Sequence, residues 1–334
     1  MDIPRVLQVL RPATGGMLGH LEILLKGLKE AGYELTVACP ITESLLACLR
    51  AAGVYQLLPL DVTDGIRPLS DLATARRLAQ FLRRQSFHLI HAHGAKAGLI
   101  TRLAALESGR PRPIVISYHN EILPANRPYY TGQIRLGLER ALKNRATHFT
   151  AVSPEIAREL TAIVRCAPGK VSFIPNGINL ESMQGGGPVL VFPWADSSDD
   201  FLIGAALRFT REKGVDLLLE GFQSALREAP HLKLVAIGDG PLWAWAKEEV
   251  QRLGIEEKVY LPGYLPGARR FFPQFHCFIL PSRTEGWPLS IMEAMNAGLP
   301  VIATNVGGIP QQLGRGRYGI LVEPGNATDR KSTR

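Results

Sequence analysis

The chain has 334 residues, 46% hydrophobic and 20% charged, with a formal net charge of +8. That length is enough for two hydrophobic cores rather than one. No apolar run approaches the roughly 18 residues that a membrane-spanning helix needs, and Met1-Asp2-Ile3-Pro4-Arg5 carries no signal-peptide pattern, so a soluble cytoplasmic enzyme is expected.

The four cysteines, Cys39, Cys48, Cys166 and Cys277, form no CxxC pair and read as reduced small hydrophobes. Charge is uneven. Residues 1–180 hold 22 Lys and Arg against 13 Asp and Glu, a net of +9, whereas residues 181–334 hold 16 against 17, a net of −1. Arg76, Arg77, Arg83 and Arg84 fall on one expected helix, and Arg135, Arg140, Lys143 and Arg145 on another. Such faces suit an anionic membrane surface or a phosphate-bearing acceptor, or are simply solvated. Nucleic acid is not expected as a partner, because the basic residues are not interleaved with aromatics and no nucleic-acid motif occurs.

In chain order, Arg5–Leu10 reads as a first strand and Arg11 to Gly16 as a turn-rich loop. A helix follows from Gly19 to Glu30, with Leu21, Leu24, Leu25 and Leu28 at helical spacing, and then a strand over Leu35–Cys39. Strand, Gly-rich loop, helix and strand make a βαβ unit, which implies an α/β fold on a parallel sheet. A dinucleotide fingerprint is absent: Gly15-Gly16-x-x-Gly19 is not G-x-G-x-x-G, and the second strand ends on Ala38-Cys39-Pro40 without an acidic residue.

The pattern repeats through strand 54–58, helix 69–85, strand 88–91, helix 95–106 and strand 114–117. His91 and His93 end one of these strands, and His119 follows another. With no carboxylate or third histidine nearby in sequence, a zinc site is not expected at His91 and His93, and structural packing is expected for His91. Ser153-Pro154 reads as a helix start with Ser as cap. Residues 184–200, with three consecutive glycines and five polar residues from Asp196, read as a linker between a first domain over 1–183 and a second over 201–334.

In the second half, strands are expected over 201–206, 232–237 and 259–263, with a helix from Val215 to about Arg227. Arg208 and Lys213 lie where the first of these strands stops, and such cations can replace a metal as the counter-charge of a diphosphate. A buried strand from Phe275 to Leu280 leads into a loop and a helix that opens at Pro288, before the next apolar run from Pro300 to Ala303. Free amides at such a helix start favour an anion. Glu285 and Glu293 flank it, and carboxylates accept strong bonds from sugar hydroxyls. By spacing alone, both are equally well ordinary solvated charges.

Glu285 and Glu293, with seven residues between them in EGWPLSIMEAMNAGLPVIAT and followed by Gly307-Gly308, resemble the motif of the retaining glycosyltransferases of family 4. The resemblance runs from Arg5 to Glu323 and implies two Rossmann-like domains facing a cleft, the GT-B architecture. It implies sugar transfer from a UDP- or GDP-sugar to a hydroxyl acceptor with retention, without cofactor or metal. In that family the second glutamate, here Glu293, holds the donor ribose. The first, Glu285, holds a hydroxyl of the donor sugar, and amides in the stretch Gly286, Trp287, Leu289 and Ser290 hold the diphosphate. Many members have glycine at Pro288, which cannot donate.

The family pattern also matches Arg208, Lys213 and Gly214, with Leu207 in place of a glycine. It gives Gly15 and Gly16 a close approach to the donor and acceptor, His119 a place near the donor sugar, and the loop at Tyr264 contact with the nucleobase. Gln311 stands where members usually carry glutamate. The absence of Asp-x-Asp agrees with a metal-independent route. Family members continue past Glu323 with further helices, so the polar residues 326–334 suggest a shortened end. An acceptor among lipid-linked or envelope precursors is expected from the N-terminal charge. A sugar-nucleotide epimerase on the same architecture, or a non-catalytic nucleotide-sugar binder, would share these motifs.

Overall fold

The structure, a computed structural model, describes residues 3–12, 15–63, 65, 67–110, 112–122, 129–180, 191 and 200–325. The chain forms two compact units, Met1–Gly177 and Ile178–Arg334. The expected linker, apart from Val191 and Asp200, and residues 326–334 lie outside the described residues.

In the first unit, strand β1 (Arg5–Val9) leads to helix α1 (Gly16–Glu30), β2 (Glu34–Cys39), α2 (Glu43–Ala51), β3 (Gln56–Pro59), α3 (Pro68–Arg84) and β4 (Leu89–His93). Then come α4 (Gly94–Ser108), β5 (Ile114–Tyr118), α5 (Tyr129–Leu142), β6 (His148–Ala151), α6 (Pro154–Ala162) and β7 (Val171–Phe173). The strands form one parallel sheet in the order β3-β2-β1-β4-β5-β6-β7. Val6 of β1 pairs with Leu35 on one side and Leu89 on the other, so β1 is central. A central parallel strand is covered on both faces, and Val6, Leu7, Gln8 and Val9 are all buried.

The Ser153 cap forms as expected. Its hydroxyl accepts from the Ile156 amide at 3.3 Å, with Pro154 in the first helical position. Helix α3 carries Arg76, Arg77, Arg83 and Arg84 on its exposed side. All four cysteines are free and buried, and burial pushes their thiols up to about 12 for Cys39 and about 11 for the other three. They stay protonated, as small hydrophobes do.

Helices α4 and α5 are tied by a buried ion pair. Arg102 donates to Glu139 at 2.8 Å, with side-chain exposures of 0% and 3%, and its Nε bonds the Gly98 carbonyl at 2.9 Å. Desolvation of both charges consumes most of their attraction, so the pair adds little net stability while intact. Removing one partner leaves the other charged and buried.

In the second unit, β8 (Phe201–Ala206) is followed by α7 (Val215–Leu226), β9 (Leu232–Ile237), α8 (Trp243–Arg252), β10 (Val259–Gly263), β11 (Cys277–Leu280), α9 (Leu289–Asn296), β12 (Val301–Thr304), α10 (Ile309–Gln312) and β13 (Ile320–Val322). The parallel order β10-β9-β8-β11-β12-β13 repeats the winding of the first sheet. Its core runs from Leu218 and Phe222 on α7 through Leu234, Ile237 and Phe278 to Ile291 and Ala294 on α9. The strand expected from Phe275 begins at Cys277. Phe275 closes a 3-10 turn over Ala268–Gln274, its amide donating to the Phe272 carbonyl at 2.9 Å.

Glu139→Ala strands the Arg102 guanidinium, and we expect it to cost about 3–5 kcal/mol, read from the midpoint of urea unfolding. A loss below about 1 kcal/mol would mean that water reaches Arg102.

Candidate active site

Strand order in the second unit reverses between β8 and β11. In open parallel sheets, the crevice for ligands lies outside the carboxyl ends of the strands at such a switch point. The chain leaving β8 runs through Arg208 to a 3-10 turn at Arg211–Lys213, and the chain leaving β11 runs from Pro281 to Pro288. Glu285 is 6% exposed between them. Lys213 Nζ donates to Glu285 Oε1 at 2.6 Å, and the Ser282 hydroxyl donates to the same oxygen at 2.8 Å.

Lys213, expected with Arg208 as a counter-charge for a diphosphate, is paired with Glu285, because a carboxylate this buried requires a partner. Arg208 is exposed, and its guanidinium has no protein partner among the described residues.

The loop carrying Glu285 is held from both sides. The Arg283 amide donates to the Glu212 carbonyl at 2.7 Å, and its guanidinium forks onto both oxygens of Asp216 at 2.7 Å each. Burial pushes the Asp216 carboxyl up, but the fork more than offsets it and leaves it below its ordinary value. The Thr304 hydroxyl, at the end of β12, donates to the Ser282 carbonyl. Gly308 N donates to the Gly286 carbonyl at 3.0 Å, and Gln312 Nε2 to the Pro288 carbonyl at 3.0 Å. Gly307 has φ +51°, and a Cβ there would sit 1.7 Å from the Glu285 carbonyl oxygen. Only glycine allows that approach.

Pro288 is the N-cap of α9, with φ −66° and ψ 125°, one residue before its expected place inside the helix. Its extended ψ turns the chain into the helix, so the leading amides are those of Leu289, Ser290 and Ile291, which lack intrahelical partners. Glu293 lies one turn further on. Burial raises its carboxyl above the ordinary value, and Arg269 partly opposes this from 3.7 Å.

Arg269 comes from the 3-10 turn after β10, in the same connection as Tyr264, which is 55% exposed. The sequence reading missed Arg269. Its only signal was an arginine pair, Arg269-Arg270, set against the buried Phe271 and Phe272.

In the first unit the switch point lies between β1 and β4. Gly15 caps α1 with φ 55° and ψ −128°, a conformation that disfavours any side chain, while Gly16 is the first residue of the helix. The helix thus begins three residues earlier than its apolar periodicity implied. His20 on α1, His93 at the end of β4 and His119 after β5 converge here, with candidate ligand atoms within 4.8 Å of one another. The expectation of no third histidine near His93 is therefore corrected: the parallel crossovers bring in two. Burial lowers His20 and His91 to about 4 and takes His93 and His119 well below the usual imidazole value, so all four are neutral at pH 7. His91 is bonded to the Ser117 hydroxyl at 2.7 Å, the packing role expected of it.

Two doubly wound parallel sheets in succession are the GT-B architecture of glycosyltransferases. Residues 14–182 match the family model described as Glycosyltransferase Family 4, and residues 179–331 that described as Glycosyl transferases group 1, so the chain belongs to the family 4 glycosyltransferases. It is 27% identical over 269 residues to N-acetyl-alpha-D-glucosaminyl L-malate synthase of Bacillus anthracis, covering 78% of this chain and 68% of that protein. It is 24% identical to UDP-Gal:alpha-D-GlcNAc-diphosphoundecaprenol alpha-1,3-galactosyltransferase of Escherichia coli, covering 83% and 72%. The Anabaena protein HepE, solved with UDP and glucose, has the same fold, with a TM-score of 0.79 at 18% identity over 98% of this chain and 88% of its own.

Gly307→Ala forces the Glu285 carbonyl aside. We expect a loss of about 1–3 kcal/mol and faster amide exchange across 282–288; unchanged exchange would show that the loop tolerates the shift. For Glu293 the sign follows from its raised carboxyl. The folded state holds the proton more tightly, so this group's contribution to stability falls as pH rises from about 4.3 through its folded value. Glu293→Gln should therefore unfold later than the native chain at pH 7, with the gain vanishing as pH drops below about 4. An equal gain at both pH values would refute this account.

Proposed function

We propose that this chain transfers a sugar from a nucleotide-diphosphate donor to a hydroxyl acceptor with retention of configuration, and without a metal at the donor site. The observation that carries the reading is the bonded set Ser282, Glu285 and Lys213 beside the leading amides of α9. The arrangement supplies opposite demands at close range. Lys213, the exposed Arg208 and the amides of Leu289 and Ser290 offer positive charge to a departing diphosphate. Gly286 and Trp287 complete the strip of backbone leading to them. Glu285 offers a carboxylate to a sugar hydroxyl, and Glu293, steadied by Arg269, offers another to ribose.

Tyr264 is assigned to the nucleobase, and Gly15 and Gly16 to close approach in the first unit. His119, neutral at pH 7, is assigned to orienting a hydroxyl rather than taking a proton. In the reaction the bond from the anomeric carbon to the diphosphate oxygen breaks as the acceptor oxygen bonds the same face. The acceptor proton leaves with the diphosphate. Catalysis is then mainly electrostatic stabilisation of the leaving group.

UDP is the favoured donor nucleotide, because the E. coli relative is named for UDP-Gal and HepE was solved with UDP-glucose. A lipid-linked acceptor is supported by the diphosphoundecaprenol in that relative's name and by the four exposed arginines of α3. No helix among the described residues is long and apolar enough to cross a membrane; the contact proposed is a peripheral one with an anionic surface at the cytoplasmic face.

Titrating UDP, GDP and ADP by calorimetry with a chelator present should give binding of UDP that weakens at least about tenfold, roughly 1.4 kcal/mol, in Glu293→Ala. Lys213→Ala, with folding intact, should lower kcat about 100- to 1000-fold. Unimpaired turnover in that variant would remove the assignment.

A further inference from the structure

The pair of Lys213 and Glu285 joins two segments that lie 72 residues apart in the chain. We propose that Arg283 is the positioning residue of that pair: it grips the chain on both sides of Lys213 from a place beside Glu285, and so sets the reach of both side chains toward the donor. That role for the pair rests on the donor reading above; what holds the pair rests on geometry alone.

The contacts bracket Lys213. Before it, the Arg283 amide donates to the Glu212 carbonyl at 2.7 Å, and Nη1 donates to the Arg211 carbonyl at 2.9 Å. After it, Nη1 and Nη2 each donate to one oxygen of Asp216 at 2.7 Å. Glu285 follows Arg283 by two residues. The two segments also meet backbone to backbone. Gly214 has φ +69°, and a Cβ there would sit 2.1 Å from the Pro281 carbonyl oxygen.

The far end of the clamp is itself fixed. Asp216 lies in the first turn of α7, where its carboxylate also accepts from the amides of Asp216 and Leu217 and faces the positive end of the helix. Arg283 is therefore anchored to a helix terminus rather than to a mobile carboxylate.

An ordinary ion pair at this exposure, 33% and 26% for the two side chains, contributes little to stability. Such a pair would have no use for the Arg211 carbonyl. The planar guanidinium makes three bonds at once: Nη1 has two hydrogens, one for Asp216 and one for the Arg211 carbonyl, and Nη2 completes the fork. Lysine ends in one nitrogen and cannot span them. The consequence falls on Lys213. Its flexible stem ends 2.6 Å from Glu285 only while the turn beneath it is held. A shift of about 1 Å opens that bond, and misplacement on this scale is costly in a site built on orientation.

Holding and transfer are measured separately. Lys213 Nζ is labelled with trace acetic anhydride, and its rate is compared with those of the other lysines by mass spectrometry. In Arg283→Ala the Lys213 rate should rise at least about fivefold, the size of an ordinary coupling between residues in contact. It should rise as much in Glu285→Gln and no further in the double variant. Asp216→Asn weakens only the fork, should shift the rate the same way by less, and carries the test if Arg283→Ala does not fold. UDP is then titrated by calorimetry: Arg283→Ala should weaken its binding in the native background and leave it unchanged where Lys213 is already alanine. A Lys213 rate unchanged in the folded variants, or an equal loss of UDP affinity with and without Lys213, would overturn the proposal. Failure of the native chain to bind UDP would instead count against the donor reading, and the labelling would still decide what holds Lys213.

Discussion

Both units depend on one constraint of parallel sheets. A right-handed crossover carries each new strand to the side of the last, so a sheet that starts in its middle must reverse its direction of growth once. The reversal falls between β1 and β4 in the first unit and between β8 and β11 in the second. Neighbouring strands there send their following helices to opposite faces, and the loops separate and leave room at the carboxyl edge. The side chains gathered at the two switch points sit on that edge: His93 and His119 in one unit, Arg208, Lys213 and Glu285 in the other.

At the second edge the electrostatics follow from burial. Glu285 is too enclosed to stand as a lone anion, so Lys213 and Ser282 satisfy one of its oxygens and the pair becomes nearly neutral. Glu293 meets the same problem differently. Arg269 is 3.7 Å away, too far to cancel the burial, and the carboxyl stays easier to protonate than usual. One glutamate is thus held fast in the absence of ligand while the other gains from a donor of hydrogen bonds. That contrast suits the roles proposed above, Glu285 for a sugar hydroxyl and Glu293 for ribose.

Much of the fold was legible because parallel strands are apolar on both faces and helices are punctuated by caps. The strands at Phe201, Leu232 and Val259 lie where the apolar runs put them, and Ser153-Pro154 opens α6. Misses came where local signals compete. The run from Phe275 is apolar apart from His276, yet its strand starts only at Cys277 because Phe275 caps the preceding turn, a boundary that periodicity does not resolve. Gly16 begins α1 although glycine is a poor helix former, because the missing signal was the φ of Gly15 and not a propensity.

The sequence by itself determined the class of fold, the position of the two glutamates on a loop and helix after a buried strand, and the family. All of these reside in short stretches whose spacing survives without coordinates. Tertiary structure alone decided the partners. Lys213 meets Glu285 across 72 residues, Arg269 reaches Glu293 from a turn after an edge strand, and His20 and His119 join His93 from either side in the chain. These pairings are set by which strands lie side by side in the sheet, a property of the crossovers that no local window of residues contains.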